Sequence, residues 1–382
     1  MSRVAMVVTN ACSPDPRVLR HAAWMLALGF EVTIHAFDRD EEHPMSENVG
    51  GVRIMRYRVG KVPYGGTVST YRGIRRFQQT VVRTLLNDPP ALVYCHDADT
   101  LAVGTTMRQQ KSIPFVFDMH DLQHTWVRYA APQSMIRSWV SKRMKLKMLD
   151  RAKHAQCIIT SSGAHSESSS RGFGDWLEHH GMNAHVVENR PLPPFSTSKK
   201  TPQSDWTVGF VGKVRDMKAM ELLIEAVKQL PPHERPSLRI AGDGTVAAAL
   251  RRRLMDEMDQ ETLVAEVSGA FTQHELDEIL DGLDVMFAMY APQRGNILQG
   301  ALPVKMFDAA ARGIPSVVND GCLMGDVARD EAIGEPAPWG DSKAVAQALL
   351  ACKNKVVELN HDGEREHQRW LKAIQPVVKG LQ

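Results

Sequence analysis

The sequence has few cysteines and no long apolar run, and each absence excludes a class of protein. Its 382 residues contain five cysteines without a C-x-x-C pair, so we predict neither a disulfide framework nor a zinc site. No apolar stretch approaches the roughly 18 residues of a membrane-spanning helix. The apolar run after Met1 is too short for a signal peptide. We therefore expect a cytoplasmic protein without a bound metal.

The chain also lacks a large net charge, but its charges are unevenly distributed. The formal net charge is +2. Residues 1–195 contain 24 Lys and Arg against 17 Asp and Glu, a net of +7, and the remainder contains 22 against 27, a net of −5. Within residues 51–153 the counts are 18 and 6. This asymmetry predicts that the N-terminal half meets an anionic surface.

Short apolar runs alternate with amphipathic segments along most of the chain. A predicted strand at 3–10, a helix at 17–29 and a strand at 30–37 form a βαβ unit, which is typical of parallel sheets. The pattern continues to residue 189 and starts again at residue 206. Between them, residues 190–205 are rich in Pro, Ser and Lys and have the composition of a linker. We predict an α/β protein with two doubly wound, Rossmann-like domains that face a central cleft.

Three turns in the C-terminal half have the composition of anion-binding loops, namely "GKVRDMK", "AGDGT" and "QRGNILQGALPVK". Each follows a predicted strand and precedes a predicted helix, whose first N–H groups favour anions. Three such turns favour a nucleotide diphosphate over a single phosphate, although a solvated charged loop would have the same composition as the first turn. The candidate donor-binding residues are Lys213, Lys218, Gly242, Gly244, Gly295, Asn296, Gly300 and Lys305.

In the N-terminal half, "FDMHDLQH" places His120 and Asp121 just after a predicted strand, where reactive groups of α/β sheets lie. His120 and His124 also have the spacing of paired metal ligands, but we do not assign a metal, because neither a helix nor a third ligand is evident there. A structural histidine is the alternative for His120. "CHDAD" contains a D-x-D pattern. We interpret Asp99 as a helix cap and not as a metal ligand.

Six segments occur in an order that resembles the retaining glycosyltransferases of family 4, which have the GT-B fold. "DPRVLRHAAWMLALGFEVTI", "HDADTLAVG" and "PFVFDMHD" are similar to the N-terminal motifs of that family. "VGKVRDMKAMELLIEAV", "RIAGDG" and "LPVKMFDAAARGIPSVV" are similar to its C-terminal motifs, and the last is the most specific. The resemblance covers nearly the whole chain.

The resemblance implies transfer of a sugar from a nucleotide-sugar donor to a hydroxyl of a glycan, a lipid-linked sugar or a small molecule. It also implies retention of configuration and no requirement for a metal or another cofactor. It assigns Asp308 to the ribose hydroxyls, Lys213 and Lys218 to the diphosphate, and His120 to the transferred sugar. His120, Lys213 and Lys218 are accordingly predicted to be the catalytic residues. The family often has two acids separated by seven residues; here the second is Asp308, and the first position is Gly300.

The resemblance also implies an acceptor-binding domain over residues 1–195 and a nucleotide-sugar-binding domain over residues 196–360. A tail helix over residues 361–382 is expected to pack back on the N-terminal domain. Arg17 and Asp121 are predicted on the acceptor side. For Arg17, a helix-capping charge is the alternative.

Residues 136–154 and 71–86 interleave Lys and Arg with apolar residues. Residues 136–154 are predicted to rest on an anionic membrane, with a solvated helix face as the alternative. We expect no nucleic-acid partner, because a binding motif is not recognised. Two rival functions remain open: a nucleotide-sugar epimerase of the same fold, and a catalytically silent nucleotide- or glycan-binding module, for which Gly300 is the argument.

Overall fold

A computed structural model of the chain describes residues 1–62, 68–129, 131–164, 170–195, 205–272, 275–294 and 296–381. The chain divides into two compact units. The first unit contains Met1–Gly163, Phe173–Asn189 and Glu366–Gln382, and the second contains Ala164–Gly172 and Arg190–Arg365. Each unit has a mostly parallel sheet with intervening helices, which confirms the predicted α/β fold.

The first unit has an eight-stranded sheet in the order β3-β4-β2-β1-β5-β6-β7-β8. Among the strand pairs that the described residues form in this sheet, only β3–β4 is antiparallel. The winding direction reverses between β1 and β5, and ligands of open α/β sheets bind at such a point, beyond the carboxyl ends of the strands. The elements are β1 (Arg3–Val8), α1 (Pro16–Ala27), β2 (Glu31–Phe37), β3 (Ser46–Val49), β4 (Val52–Tyr57), α2 (Val68–Asn87), β5 (Leu92–His96), α3 (Leu101–Lys111), β6 (Phe115–Met119), α4 (Gln123–Tyr129), α5 (Met135–Ala152), β7 (Cys157–Thr160), α6 (Phe173–His179) and β8 (His185–Val186).

The second unit has a six-stranded parallel sheet in the order β11-β10-β9-β12-β13-β14. Its elements are β9 (Thr207–Val211), α7 (Met217–Gln229), β10 (Ser237–Ala241), α8 (Ala247–Asp259), β11 (Ala265–Ser268), α9 (Glu275–Asp281), β12 (Val285–Phe287), α10 (Val304–Ala310), β13 (Ser316–Asn319), α11 (Leu323–Asp330), β14 (Gly334–Ala337) and α12 (Ser342–Cys352). In the described parts of the chain, no helix is both long and apolar enough to cross a membrane.

The last helix, α13 (Gly363–Val378), contributes its residues from Glu366 onward to the first unit. Trp370 on this helix is 0% exposed and belongs to the core of that unit. Its indole Nε1 donates a hydrogen bond to the hydroxyl of Tyr94 on β5 at 3.1 Å. The chain therefore completes the core of its first unit with residues from its C-terminal end.

Arg190, the first residue of the predicted linker, is instead fully buried in the second unit. Its guanidinium donates two 2.6 Å hydrogen bonds to the carboxylate of Glu331 and stacks 4.1 Å from the ring centre of Phe307. The chain thus passes from the first unit to the second at the start of the predicted linker, and Arg190 itself is held in the second unit because the buried carboxylate of Glu331 binds it. Residues 196–204 of the same segment lie outside the described residues.

Candidate functional site

The first unit buries a carboxylate, Asp118, among basic side chains near the carboxyl end of β6. Asp118 is 0% exposed. Its oxygens lie 2.5 Å from Arg17 Nη2, 2.8 Å from His120 Nε2, 3.1 Å from His96 Nδ1 and 3.2 Å from His21 Nδ1. Burial opposes ionisation, but the charges of Arg17 and His120 outweigh it and hold the pKa of Asp118 well below its usual range. Asp118 is therefore an anion that organises the surrounding side chains.

His120 lies between two carboxylates. Its Nε2 is bound to Asp118, and its Nδ1 is 3.7 Å from Asp97 Oδ2, while its backbone N–H donates to Asp97 Oδ1 at 3.2 Å. Burial alone would lower the pKa of His120, but Asp118 and Asp97 outweigh it and raise the pKa to about 9. Burial, with the charges of Asp99 and Asp121, raises the pKa of Asp97 to about 7. His120 is thus an imidazolium at neutral pH, suited to donating hydrogen bonds and unsuited to accepting a proton.

The other two histidines around Asp118 are neutral at neutral pH. Burial lowers the pKa of His21 to about 3 and also lowers the pKa of His96. Ligand atoms of His21, His96 and Asp118 lie within 4.8 Å of one another, which is close enough to hold a metal ion. However, the Arg17 guanidinium already neutralises Asp118. Charge balance at this cluster therefore requires no cation.

The structure corrects the prediction for Arg17. This side chain is 5% exposed, and besides Asp118 it contacts the carbonyl of Val187 at 2.7 Å and Asn189 Oδ1 at 3.0 Å. It therefore holds Asp118 from within the core and does not face an acceptor. The alternative role as a helix-capping charge is also wrong, because the Asp15 side chain caps α1 by accepting from Val18 N.

Asp121, the other predicted acceptor-side residue, lies in the turn before α4. Its carboxylate accepts hydrogen bonds from the Leu122 backbone at 2.6 Å and from Trp126 Nε1 at 2.5 Å. These bonds fix the turn that follows His120.

The interpretation of one polar residue nearby was wrong. Asp99 does not cap α3: Thr100 is at the cap position, and Asp99 Oδ2 accepts from Thr9 Oγ1 at 2.5 Å. His120 and His124 do not form a ligand pair, because α4 begins only at Gln123 and the His124 ring stacks 5.8 Å from Trp176.

In the second unit, the turns after β9 and β10 are in direct backbone contact. A Cβ atom at Gly242 would lie 1.9 Å from the carbonyl oxygen of Gly212, and one at Gly244 would lie 2.3 Å from that of Val214. The Val214 N–H donates to the Asp243 carbonyl at 3.0 Å, so the pairing of the strands continues into the turns. Both predicted donor-site glycines are therefore required by backbone packing, which fixes the conformation of residues 212–214.

Lys305 lies beside this turn. Its Nζ is 3.4 Å from the ring centre of Phe210 and 5.4 Å from that of Tyr290, and a Cβ atom at Gly212 would be 3.9 Å from it. Burial, with a smaller contribution from Arg294, lowers the pKa of Lys305 to about 7. Arg294 stacks on Tyr290 at 5.0 Å. Arg294 was not selected from the sequence, although a basic residue within the glycine-containing turn "QRGN" could have indicated an anion-binding side chain.

Lys213 and Lys218 are both exposed, on the turn after β9 and at the start of α7. The side chain of Asp216 caps α7 by accepting from the Lys218 backbone N–H at 3.0 Å. Within the described ranges, no carboxylate lies within ion-pair distance of either ammonium group. With Lys305, these side chains make the β9–α7 turn strongly cationic.

The remaining donor-side candidates lie on the segment that leads into α10. Asp308 is half-buried on α10, one turn after Lys305. Asn296 is buried, and its carbonyl accepts from the backbone N–H groups of Gln299 and Ala301. Gly295 lies outside the described residues.

Backbone packing explains why residue 300 is a glycine. Its φ is +104°, and a Cβ atom there would lie 2.4 Å from Gly172 Cα and 2.5 Å from the Arg171 carbonyl oxygen. The backbone of residues 171–172 thus occupies the space in which an acidic side chain at position 300 would begin. An acid at this position would require that segment to move.

Asp118, Asp97 and Arg294 are the side chains that sequence reasoning did not select. The position of Asp118 inside the apolar run "FVFDM" could have indicated a buried carboxylate with a basic partner, since fully buried carboxylates are paired.

Two family models match consecutive parts of the chain. The Glycosyl transferase 4-like domain matches residues 14–190, and Glycosyl transferases group 1 matches residues 205–354. Escherichia coli K12 WcaL, named for a role as a colanic acid biosynthesis glycosyltransferase, is 28% identical over 153 residues. This alignment spans 40% of the chain and only 37% of the length of WcaL.

Solved structures of similar fold cover nearly the whole chain. Sucrose-phosphate synthase from Thermosynechococcus elongatus has a TM-score of 0.72 at 15% identity, covering 100% of this chain and 97% of the synthase. Anabaena HepE in complex with UDP-glucose has a TM-score of 0.65 at 14% identity, with 100% and 99% coverage. A Listeria monocytogenes protein described as a UDP-N-acetylglucosamine 2-epimerase has a TM-score of 0.59 at 13% identity, with 99% and 97% coverage. At these sequence identities the similarity shows a shared fold and nothing further.

Proposed function

This chain belongs to glycosyltransferase family 4 and has the GT-B fold, and from that premise we propose that it transfers a sugar from a UDP-sugar to an acceptor hydroxyl. The observation that supports a nucleotide-sugar donor is the cationic β9–α7 turn, where Lys305 lies beside Gly212 and Lys213 and Lys218 are exposed. Uridine is the first base to test because Anabaena HepE was solved with UDP and with UDP-glucose.

We propose that the donor occupies the second unit. The lysines would stabilise the negative charge that develops on the departing diphosphate, and Asp308 would accept hydrogen bonds from the ribose hydroxyls. Gly295 and Asn296 would supply backbone groups to the donor. The acceptor would occupy the first unit, near His120 and Asp121.

Transfer is proposed to retain the configuration of the sugar, by a front-side reaction. The bond between the anomeric carbon and the diphosphate oxygen breaks, and the acceptor oxygen bonds to the same face of that carbon. The proton of the acceptor hydroxyl passes to a leaving phosphate oxygen. No enzyme carboxylate acts as a nucleophile, in contrast to retaining glycosidases, and no metal or other cofactor is proposed. The Nε2 of His120 is bound to Asp118, so its Nδ1–H, which is 3.7 Å from Asp97, would donate a hydrogen bond to the transferred sugar.

The decisive experiment measures release of UDP from a panel of UDP-sugars with and without candidate acceptors. Release that depends on an acceptor, with the sugar recovered on that acceptor, supports transfer. The Listeria protein described as an epimerase shares the fold, and donor conversion without an acceptor would favour that activity instead. Nucleotide binding without any turnover would favour a silent binding module.

We expect Asp308→Asn to weaken UDP binding by about tenfold, because an amide offers the ribose one acceptor atom where the carboxylate offers two and carries charge. Isothermal titration with UDP and with 2′-deoxy-UDP measures the effect. The wild-type protein should discriminate between the two ligands more strongly than the variant. Asp259→Asn, at an exposed position of the same unit, is the matched control. Equal UDP affinity in wild type and Asp308→Asn would reject the ribose assignment.

Donor affinity should fall as the pH rises above neutrality. Because the pKa of Lys305 is lowered to about 7, the free lysine loses its proton above that pH, whereas a bound diphosphate favours the charged form. Binding then requires proton uptake, and the affinity should decrease by up to about tenfold per pH unit. Titrations with UDP-glucose from about pH 7 to about pH 8.5 measure this slope. Lys305→Arg keeps its charge and should flatten the profile; a profile that is already flat in wild type rejects contact of Lys305 with the diphosphate.

We also propose that residues 136–154 contact an anionic membrane. Trp139 on α5 is 59% exposed with Arg143 stacked 5.1 Å from its ring centre, and Ile136 and Leu146 are exposed as well. Exposed apolar groups among cations suit a lipid headgroup layer. Flotation with anionic vesicles that is lost at high salt would support this contact, and no binding would leave a solvated helix face.

A further inference from the structure

The first unit contains a cavity of about 640 Å³ to which the proposed transfer reaction assigns no ligand. Its walls come from α2, α3, α4 and α5, and Ala98, Asp99 and Asp121 lie at the carboxyl ends of β5 and β6. One end of the cavity is thus formed by the turns that surround His120. A cavity of this size matches the volumes of small-molecule sites.

Much of the cavity wall is apolar. Side chains on one face of α2 and one face of α5 contribute at helical spacing, and α3 contributes between them. Such a wall contacts hydrocarbon favourably, because burial of apolar surface releases water. The apolar lining residues are Ile74, Val82, Ala98, Ala102, Met144 and Met148.

The same two helices place four cations at the cavity: Arg75, Arg83, Lys147 and Arg151. Over the residues described, no carboxylate lies within ion-pair distance of any of them. Asp150, next to Arg151 in the chain, pairs with Lys153 at 2.6 Å. Concentrated positive charge without a partner favours binding of an anion.

The two acids in the wall do not neutralise these cations. Asp99 accepts from Thr9, and Asp121 accepts from Leu122 N and Trp126. The cavity therefore has three properties together: apolar walls, four cations without carboxylate partners, and one end beside His120. A ligand that satisfies all of them is anionic, contains an apolar chain and presents its remaining part to the turns after β5 and β6.

We propose that this cavity binds the lipid phosphate or diphosphate part of the acceptor. This assignment rests on the proposed transfer function. The cations would hold the phosphate groups, and the Ile, Val, Met and Ala side chains would contact the start of the hydrocarbon chain. A glycan without a lipid would leave the apolar wall without a partner, and a free phosphate would not use it. The same helix α5 also presents the exposed apolar side chains Ile136, Trp139 and Leu146, which suit contact with a membrane.

The test titrates the protein of 382 residues with dodecyl phosphate below the critical micelle concentration of that ligand. Dodecyl maltoside, with the same chain and a neutral head, and inorganic pyrophosphate, with charge and no chain, are the comparison ligands. We expect dodecyl phosphate to bind at least about tenfold more tightly than either, since only it engages both the cations and the apolar wall. Equal binding of dodecyl maltoside or of pyrophosphate would overturn the assignment to a lipid phosphate.

Two double variants then locate the site. Arg83→Gln with Lys147→Gln removes two cavity cations and should weaken dodecyl phosphate binding by about tenfold or more. Arg72→Gln with Lys142→Gln removes two exposed cations from the same helices outside the cavity lining, so it matches the change in net charge and should bind as wild type. Equal affinities of the two double variants for dodecyl phosphate would show that the ligand binds outside this cavity.

Binding of UDP-glucose is measured on all of these proteins, because it separates the two proposals. Donor binding with no affinity for dodecyl phosphate rejects the lipid site alone. No binding of any UDP-sugar by wild type rejects the proposed function instead. Donor affinity should be the same in both double variants, since the cavity lies wholly in the first unit and the donor candidates in the second.

Discussion

Sugar transfer by the double variant Lys213→Ala/Lys218→Ala should be at least about 100-fold slower than transfer by the wild type, because both lysines are proposed to stabilise the departing diphosphate. Their ammonium groups lie on the turn after β9 and at the start of α7, exposed and without a carboxylate at ion-pair distance in the described chain. A ligand phosphate would therefore be their main electrostatic partner. Initial rates at saturating donor measure kcat, and titration with UDP measures binding separately.

The chain provides a matched control for this variant. Lys343 on α12 has the same local setting as Lys218 on α7: each is exposed, and each donates its backbone N–H to a capping aspartate at 3.0 Å, Asp341 and Asp216 respectively. Lys343→Ala should leave kcat unchanged. A wild-type rate for the Lys213 and Lys218 variant would show that the diphosphate binds elsewhere.

A second large effect is expected on stability. Asp118→Asn should lower the free energy of unfolding by about 3–5 kcal/mol, because the Arg17 guanidinium remains in the core without its counter-charge. Arg17 is 5% exposed and Asp118 is 0% exposed, so water screens the pair very little. Chemical denaturation, followed by tryptophan fluorescence, measures the loss.

Two further variants test the cause. Asp150→Asn breaks an exposed ion pair with Lys153 and should leave the denaturation midpoint unchanged. Arg17→Met combined with Asp118→Asn should be less destabilising than the sum of the single changes, since no unpaired charge then remains buried. Additive effects would contradict a direct interaction. An unaltered midpoint in Asp118→Asn would mean that Asp118 is not the buried anion described above.

The arrangement around Asp118 also explains why His120 is assigned as a hydrogen-bond donor. Both of its ring nitrogens face carboxylates, at 2.8 Å and 3.7 Å. A general base must release its proton to act, and this environment retains the proton. The front-side reaction proposed for the transfer has no need of such a base, because a phosphate oxygen of the leaving group accepts the proton.

Gly300 had suggested a silent binding module. The backbone of residues 171–172 fills the space beside it, so the glycine is required by packing whatever the activity. Its presence therefore no longer favours a loss of catalysis.

The sequence by itself determined the α/β class, the two repeated βαβ regions, the turns that contain Lys213 and Gly242, and the start of the helix that contains Lys305. These features are local: strand and helix periodicity and the glycines of a turn depend on residues close together in the chain. The order of the motifs was sufficient for the family as well. Local patterns also led to errors. The residues after Asp99 have the pattern of a helix, which suggested that Asp99 caps it, but the hydrogen-bond partner of Asp99 is Thr9, 90 residues away in the chain.

Only the tertiary structure decided which polar groups meet. Arg17 and Asp118 are 101 residues apart, and Arg190 and Glu331 are 141 residues apart. The cavity likewise depends on α2 and α5, whose lining residues range from Tyr71 to Arg151. The physical reason is that burial selects the partner of a charge: a guanidinium withdrawn from water binds whichever carboxylate the fold brings to it, and sequence spacing does not encode that distance.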